Sequence, residues 1–551
     1  MIRQKISYLC NDIFKNIYMK FKINPKNCPP KNGGGGNAKL MINASLVLSV
    51  LCGFSSCKDE IESEIVEDNA KMQSLDVSDG TLRLGKKIPN PYSLKVVQQA
   101  YNELAEQSGL RSCETIAPTH LYLKFAPKNV EELRLLESDT TLYFYNYPLD
   151  VELIGEGGGY HDPSLPDSVP TYQYVCVPID HPLPEVEYEV LDEVYYEEDD
   201  EAELRSGRAI SWEQLEEKAY LLAGDSSIIS TPETRGSQWR AGGRLRYEDN
   251  YTNTIVPLEG VPVRMRYHII TYQNCTDKSG YFQCSTTKRG DCKYSIEWKR
   301  AVFRIIPEHK LFVTADYVIQ ENKSRVDKIF RKSENVSQWI YASLFIPAHE
   351  FFYKDMCGIQ RPEEDIDITP KEMDDDLSSG SHMGNRPKEI RIFRYYYKSD
   401  KSVEKNSASY YGTTIHELAH SCHREYVGNS TFKHTSDSVK DTWAVGVQDY
   451  CSLRKYGEYG RIITYYFLMK PYGRQYSGLI NDLRDNVRED PSFIQDCPSD
   501  KVKGFTLLDV QKALKGAESW DEFKNNFINA NAKDDETKKN IRTLFDYWAN
   551  I

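Results

Sequence analysis

The sequence predicts a multidomain α+β protein, in which β-rich modules come first and a mainly helical domain with a small sheet follows. Apolar and polar residues alternate in 118–182 and in 255–330, which is typical of strands, whereas the C-terminal third has helical spacing. The 551 residues are enough for about three domains at ~150 residues each. With 40% apolar and 12% aromatic residues, the composition excludes a collagen-like, coiled-coil or wholly disordered chain.

The charge balance argues against nucleic acid as a partner. The chain contains 69 Lys and Arg residues and 82 Asp and Glu residues, which gives a formal net charge of −13. An acidic surface repels phosphate backbones, and the sequence has no local basic patch that would offset this repulsion. We therefore expect no nucleic-acid partner.

Residues 1–57 are predicted to be an N-terminal extension that ends in a lipoprotein signal peptide. Residues 41–54 form an apolar run that is too short to span a bilayer but has the length of a signal-peptide core. A buried hydrophobic segment is the alternative interpretation of this run.

The sequence after the apolar run supports the signal-peptide interpretation. Small residues precede Cys57, and this ending resembles a bacterial lipobox, which implies that the Cys57 sulfur is lipidated. The acidic residues after it resemble the tag that directs Bacteroidetes lipoproteins to the cell surface. We therefore expect a protein that is anchored in the bacterial outer membrane by its lipid and displayed at the cell surface.

Residues 58–110 are predicted to be a polar tether with a short helix, and residues 111–184 to be a β-rich module. The tether has weak helical periodicity around Ser93–Gln107. The module shows strand-like alternation and contains turn clusters such as the glycines at 157–159.

Residues 185–250 are predicted to be an acidic linker and connecting segment. From Glu185 to Glu203, eleven of nineteen residues are acidic. Because like charges repel one another, we expect this stretch to be exposed and extended; a calcium site is the alternative.

Residues 251–332 are predicted to form a β-sandwich. Apolar alternation in Ile255–Arg264 is followed by a turn rich in Asp, Ser and Gly, and then by aromatic residues. The combination of PLEGVPV with TDKSGYF resembles the carboxypeptidase-regulatory-like, transthyretin-type β-sandwich of many surface proteins. The resemblance implies a spacer module.

Residues 333–551 are predicted to be the mainly helical domain. Trp339–Tyr353 has the spacing of an amphipathic helix, and Lys388–Tyr397 has the composition of a strand. This strand would be either an ordinary core strand or an edge strand on which a substrate backbone pairs. Thr506 and Ser519 each precede a carboxylate by three residues, which predicts the start of a helix at both positions.

The chemistry of this domain is indicated by the pattern H-E-x-x-H, formed by His416, Glu417 and His420. On a helix the two histidines are one turn apart on one face, so both imidazoles can reach a single Zn²⁺. Glu417 lies beside them, where it can act on a zinc-bound water. The apolar neighbours Ile415 and Leu418 would bury the other side of the helix.

A zinc site of this kind needs a third protein ligand. His423 is seven residues from His416, about 10 Å of helix rise, so one straight helix cannot bring both to the same ion. The metzincin pattern is excluded because His423 and Tyr426 stand where it requires a glycine and a third histidine. What remains is a carboxylate about twenty residues downstream, on a second helix, where the chain has Asp437 and Asp441.

The sequence I-H-E-L-A-H-S, followed by x-[ED]-[ST]-W-A-x-G-V-Q, is similar to a group of Bacteroidetes surface lipoproteins with a gluzincin-like metallopeptidase domain. In that pattern a glutamate precedes Ser-Trp-Ala, so the resemblance implies Asp441 as the third zinc ligand. Aspartate is one methylene shorter, so coordination would require a closer second helix or a weaker hold on zinc. Asp437 is the alternative ligand, and both could instead cap the helix.

Together these features predict a surface-anchored, zinc-dependent metallopeptidase that hydrolyses peptide bonds with a zinc-bound water activated by Glu417. Its partners would be protein or peptide substrates, glycoproteins included. The alternative is a non-catalytic adhesion or glycan- or protein-binding lipoprotein with a degenerate zincin domain. The departure at Asp441 is the main argument for this alternative.

Overall fold

The computed structural model describes most of the chain from Leu82 onward. The described segments are 82–110, 114–155, 159–198, 210–225, 239–288, 290–308, 314–319, 325–356, 358–362, 366–372, 388–398, 401–457, 477–484 and 501–550. The predicted signal peptide, including Cys57, therefore lies outside the described residues. Within the described segments, no helix is both long and apolar enough to cross a membrane.

The described part of the chain is mixed α+β, with eleven helices and nineteen strands in six small sheets. The predicted multidomain α+β class is confirmed at this level.

The first part of the described chain contains two sheets and three helices. The two-stranded sheet pairs β1 (Arg83–Lys87) with β3 (Val151–Ile154). In the three-stranded antiparallel sheet, the central strand β2 lies between β4 and β5; these strands are β2 (His120–Phe125), β4 (Gln173–Pro178) and β5 (Tyr188–Val194). The helices are α1 (Leu94–Gln107), α2 (Val130–Glu137) and α3 (Trp212–Leu222).

Residues 82–110 belong to this folded region and do not form a tether. The helix predicted around Ser93–Gln107 is present as α1, but its residues Val97 and Ala100 are fully buried in a hydrophobic cluster. Strand β1 is also held by its pairing with β3. The tether prediction is therefore wrong for 82–110, because the apolar face of α1 finds a partner.

The acidic segment also differs from the prediction. Tyr188–Val194 is an edge strand paired with β2, so the prediction of an unpaired linker is wrong for this stretch. Most of the strand is exposed, and two of the carboxylates nearby form ion pairs, Glu187 with Lys128 and Glu189 with Lys124. Solvent and these lysines relieve the repulsion that the sequence pattern indicated.

Strands between Gly242 and Phe330 form two four-stranded sheets. The first sheet contains β6 (Gly242–Asp249), β7 (Thr254–Pro257), β10 (Tyr281–Gln283) and β15 (Arg325–Phe330). The second sheet is antiparallel and contains β8 (Pro262–Tyr267), β9 (Ile270–Cys275), β11 (Lys293–Glu297) and β14 (Asp316–Ile319). The region predicted to be β-rich is thus built of strands, but its first sheet begins before residue 251.

A third four-stranded sheet joins this region to the helical part. Its order is β12 (Lys299–Arg300), β13 (Phe303–Ile305), β16 (Ile366–Lys371) and β17 (Glu389–Phe393). Strand β13 pairs in parallel with β16, and β16 pairs in parallel with β17. The boundary predicted at residues 332 and 333 therefore falls inside one sheet. A hairpin of β18 (Tyr395–Lys398) and β19 (Lys401–Glu404) follows.

The rest of the chain is helical. Its helices are α4 (Val336–Tyr353), α5 (Ser407–Val427), α6 (Asn429–His434), α7 (Asp437–Tyr456), α8 (Leu479–Arg484), α9 (Leu507–Leu514), α10 (Trp520–Asn531) and α11 (Asp535–Asn550). One hydrophobic cluster extends from the sheets of 242–330 through α4 into α5 and α7, with Trp298, Trp339 and Trp443 fully buried. The strands and the helices therefore share a core.

Candidate metal centre

The candidate site lies between α5 and α7, which are 21 and 20 residues long and pack directly against each other. Helix α5 begins where the Asn406 side chain accepts a hydrogen bond from the Ser409 amide, and it ends at Gly428, whose φ of 87° stops the helix. The Trp443 indole on α7 donates a hydrogen bond to the Ala419 carbonyl on α5, at 2.9 Å. This bond fixes the two helices at the level of the predicted site.

The structure brings His416, His420 and Asp441 together. One ligand atom of each lies within 4.8 Å of those of the other two. The two histidine Nε2 atoms are 3.1 Å apart, and Asp441 Oδ1 is 3.5 Å from His420 Nε2. The Asp437 carboxylate is outside this group, because its side chain is 68% exposed and lies 3.4 Å from the Lys440 ammonium.

These three side chains could hold a metal ion. Two imidazoles and a carboxylate are typical ligands of a four-coordinate zinc ion. Ligand bonds of ~2.0–2.2 Å in a tetrahedron separate the donor atoms by roughly 3.4 Å. The observed separations of 3.1 and 3.5 Å lie on either side of this value. The three residues therefore fit a metal ion of this kind.

Gln448, on α7, orients the first histidine. Its side-chain oxygen lies 3.0 Å from His416 Nδ1. Because an amide oxygen can only accept a hydrogen bond, Nδ1 carries the proton and the lone pair is on Nε2, the atom that faces the cluster. Gly412 makes room for this contact, since a Cβ at that position would be 2.9 Å from Gln448 Nε2. The second histidine, His420, has a buried Nδ1 without a hydrogen-bond partner among the described residues.

Burial keeps both imidazoles neutral at physiological pH. It lowers the pKa of His416 to about 4, against the opposing effect of the hydrogen bond with Gln448. The pKa of His420 is lowered well below its ordinary value by burial and by the charge that His416 would carry. Burial also raises the pKa of Asp441 to about 7, and the charge of Asp437 adds to this effect. A cation at the cluster would favour the ionised carboxylate.

Glu417 is buried beside the cluster. Burial raises the pKa of its carboxyl well above the ordinary value, and the charge of Asp441 raises it further. The ammonium of Lys405 opposes both effects. A buried carboxyl with a raised pKa, next to a group of metal-ligating side chains, is a suitable acceptor and donor of protons.

Two other sequence predictions can be placed. His423 is buried with its ring 5.2 Å from the Phe432 ring and is not part of the ligand group. The strand predicted over Lys388–Tyr397 is present as β17 and most of β18, and β17 is the outermost strand of its sheet among the described residues. Four of the five residues of β17 are buried. The outer position agrees with the edge-strand interpretation, and the burial agrees with the core-strand interpretation.

Three residues near the site were not predicted from the sequence: Gln448, Gly412 and Lys405. Gln448 follows Asp441 by seven residues, so both lie on one face of a helix, and this spacing could have indicated its role. Gly412 precedes His416 by four residues on α5, which places it on the face that carries the site. No sequence signal marks Lys405, because its partners are backbone carbonyl groups.

Comparison with known proteins adds little. No protein-family model and no curated protein matches this chain. Among solved structures, it is similar to a crystal structure of a 9R-lipoxygenase from Cyanothece PCC8801, with 11% sequence identity and a TM-score of 0.12. The match covers 47% of this chain and 35% of that enzyme. A likeness at this level carries no argument about fold or activity.

Proposed function

We propose that this chain is a zinc-dependent metallopeptidase. The observation that carries the proposal is the convergence of His416, His420 and Asp441, with the buried carboxyl of Glu417 beside them. Neutral imidazoles, a carboxylate ligand and a separate carboxyl for proton transfer are what metal-assisted hydrolysis of an amide requires.

The proposed reaction assigns one task to each of these residues. His416, His420 and Asp441 would hold the zinc ion, which when bound would supply a Lewis acid for the attacking water and the scissile carbonyl. Glu417 accepts a proton from the water as its oxygen attacks the carbonyl carbon. When the carbon–nitrogen bond breaks, Glu417 donates this proton to the leaving amine. His416 and Gln448 act together, because the hydrogen bond between them keeps the Nε2 lone pair directed at the cluster.

The close packing of the two helices supports aspartate as the third ligand. Ala419 and Ala444 are fully buried, and the small side chains let α5 and α7 approach closely. Asp441 reaches to 3.5 Å from His420 Nε2 in this arrangement. Aspartate has a shorter side chain than glutamate, but the close approach of α7 to α5 brings the Asp441 carboxylate to the histidines.

We also propose, on the sequence resemblance alone, that the protein is a Bacteroidetes surface lipoprotein with a gluzincin-like domain. Lipidation of Cys57 would anchor it in the outer membrane, and the strands upstream of the helical part would include a transthyretin-type spacer. Its substrates would be proteins or peptides that meet the cell surface.

The residue at position 441 favours the alternative, a binding lipoprotein with a degenerate site. The chain has an aspartate there, where the similar lipoproteins have a glutamate. The zinc content of the protein, purified without added metal, distinguishes the two functions, since a peptidase should contain about one zinc per chain.

The decisive variant is Glu417→Gln. It keeps the size of the side chain but removes the proton acceptor, so zinc should stay bound while hydrolysis of casein falls by ~10²–10⁴-fold. Glu425→Gln is the matched control, because Glu425 is on the same helix but exposed. Undiminished hydrolysis by Glu417→Gln, or a zinc-loaded wild type that cleaves nothing, would reject the peptidase proposal.

A further inference from the structure

Lys405 is a buried lysine just before the N-terminus of α5, the helix that carries His416, Glu417 and His420. It stands between β19 and Asn406, the residue that caps the N-terminus of α5. Only 3% of the residue is exposed. Burying an ammonium group is costly unless hydrogen bonds and a neighbouring charge compensate for the lost water. The contacts of Lys405 should therefore explain why a lysine is tolerated here.

Lys405 binds three consecutive carbonyl groups. Its backbone amide donates to the Arg394 carbonyl at 2.8 Å. Its ammonium donates to the Phe393 carbonyl at 2.7 Å and to the Tyr395 carbonyl at 3.4 Å. These three residues are the last residue of β17, the residue after it and the first residue of β18. One residue thus fixes the point at which the chain leaves the edge strand.

The same ammonium is also affected by the charge of Glu417. This charge raises the pKa of Lys405, against the effect of burial, and α5 packs against β17. Lys405 comes two residues before α5, the helix that carries Glu417, and its ammonium binds the carbonyl groups at the end of β17. Lys405 therefore links the end of this strand to the start of the site helix.

We propose that Lys405 is a positioning residue that holds the edge strand β17 in a fixed place relative to Glu417. This inference rests on the proposed peptidase function. An extended peptide that pairs with the outer side of β17 at Arg391, the residue of this strand that is partly exposed, would then bring its scissile carbonyl to a defined place beside the metal ligands. Lys405 does not touch the reacting atoms; it sets the distance between the strand that holds the substrate and the residue that moves the proton.

Hydrogen exchange tests the structural half of the inference without using activity. In zinc-loaded Lys405→Met, the amides of 389–398 should exchange about tenfold faster than in the wild type, because charged hydrogen bonds to the strand end are lost. Exchange in α7 should not change. Lys405→Arg keeps a cation with donors and should restore most of the protection. If the 389–398 amides exchange at the wild-type rate in a folded Lys405→Met protein, the inference is overturned.

Kinetics test the functional half. With quenched fluorescent casein as the probe, Lys405→Met should raise KM by about tenfold while kcat falls less, since substrate alignment is lost but the metal ligands are intact. The zinc content of Lys405→Met should equal that of the wild type. The KM of Lys405→Arg should be close to the wild-type KM. Lys332→Met is the matched control, because Lys332 is partly buried and pairs with Glu404 at 2.7 Å, but its ammonium makes no hydrogen bond to the carbonyl groups of 393–395.

The two proposals fail in different ways. A zinc-loaded wild type that does not cleave casein would overturn the peptidase function. Cleavage by the wild type with an unchanged KM in Lys405→Met would overturn the role of Lys405 and leave the peptidase function standing. A rise in KM that Lys332→Met reproduces would also count against Lys405, since the effect would then follow from any lost lysine near the hairpin.

Discussion

At the scale of single residues, the ligand group combines two histidines one helical turn apart on α5 with an aspartate on α7. His416, Glu417 and His420 follow from the helical repeat, since residues four apart share a face. Asp441 followed from resemblance, and the structure brings it to the two histidines. Lys405 could not be predicted, because its partners are carbonyl groups that any residue could supply.

The first prediction concerns Asp441 as a zinc ligand. Asp441→Ala removes one of three protein contacts and a negative charge, so zinc affinity should fall by more than the ~10–100-fold typical of residues that only orient a ligand. Asp441→Glu keeps a carboxylate and should lose much less. Zinc affinity is measured by competition with a chelator.

Asp437→Ala is the control for this series, because the Asp437 side chain is exposed and outside the ligand group. It should bind zinc as the wild type does. An Asp441→Ala protein with wild-type affinity would show that Asp441 is not a ligand.

The second prediction concerns pH. The pKa of Asp441 is about 7 in the metal-free protein, above the ordinary value, so below pH 7 a proton competes with the metal for this carboxylate. Zinc affinity should therefore fall about tenfold per pH unit below about pH 7 and change little above it, as far as this group is concerned. His416, with a pKa of about 4, stays neutral over this range and does not contribute.

The measurement is the zinc affinity of the wild type and of Asp441→Asn between about pH 5.5 and about pH 8. Asp441→Asn binds more weakly but lacks the titrating group, so its affinity should depend less on pH. Equal slopes in the two proteins would assign the pH dependence to another group.

At the scale of helices and strands, the sequence predicted the starts of helices correctly but did not predict which strands pair. The capping boxes predicted at Thr506 and Ser519 are present, because a hydroxyl and a carboxylate three residues apart satisfy the first amides of a helix by themselves. Strand β5 was missed because an acidic, exposed edge strand has the composition of a linker. The pairing of β13 with β16 was missed because it joins residues about sixty positions apart, and no local pattern encodes it.

The third prediction concerns the contact between α5 and α7 at Gly412. Gly412→Ala places a methyl group 2.9 Å from Gln448 Nε2, so the amide must move and His416 loses its orienting hydrogen bond. We expect zinc affinity to fall by ~10–100-fold with little change in helix content. Gln448→Met should cause a similar loss.

The double variant of Gly412→Ala with Gln448→Met tests whether the two residues act through the same contact. If they do, the double variant should bind zinc about as tightly as either single variant. Additive losses would mean that Gly412 and Gln448 affect the site independently.

At the scale of the whole molecule, the sheets of 242–330 and the helical part share one hydrophobic core. Phe345 and Phe352 on α4 pack against Trp298 and Phe303, which precede the predicted boundary. In addition, Arg304 on β13 forms ion pairs with Asp367 on β16 and with Glu137 on α2. Residues from three predicted domains thus meet at one arginine.

The fourth prediction follows from the hydrophobic core that the strands and the helices share. A fragment of residues 333–551 lacks β12 and β13, which leaves an edge of β16 unpaired and the aromatic face of α4 exposed. It should aggregate or show no cooperative thermal unfolding, whereas residues 82–551 should unfold cooperatively. Size-exclusion chromatography and circular dichroism compare the two, and a monomeric, cooperatively folded 333–551 fragment would contradict the shared core.

The fifth prediction concerns localisation. Cys57→Ser removes the sulfur to which lipid would be attached, so the protein should lose labelling by a fatty-acid probe and leave the membrane fraction. Cys52→Ser, inside the predicted signal peptide, is the control and should keep the label. A Cys57→Ser protein that still takes up the probe would contradict the lipoprotein interpretation.

The sheet shared by β12, β13, β16 and β17 constrains how the gene can be rearranged. A recombination event that joined codons from 333 onward to a different upstream sequence would deliver both helices of the site but only two of the four strands of this sheet. Exchange of this kind can succeed only if the incoming sequence also provides a strand in the register of β13. The strand-rich and helix-rich regions should therefore be inherited together. Insertions and deletions should accumulate in loops that do not change the pairing of these four strands.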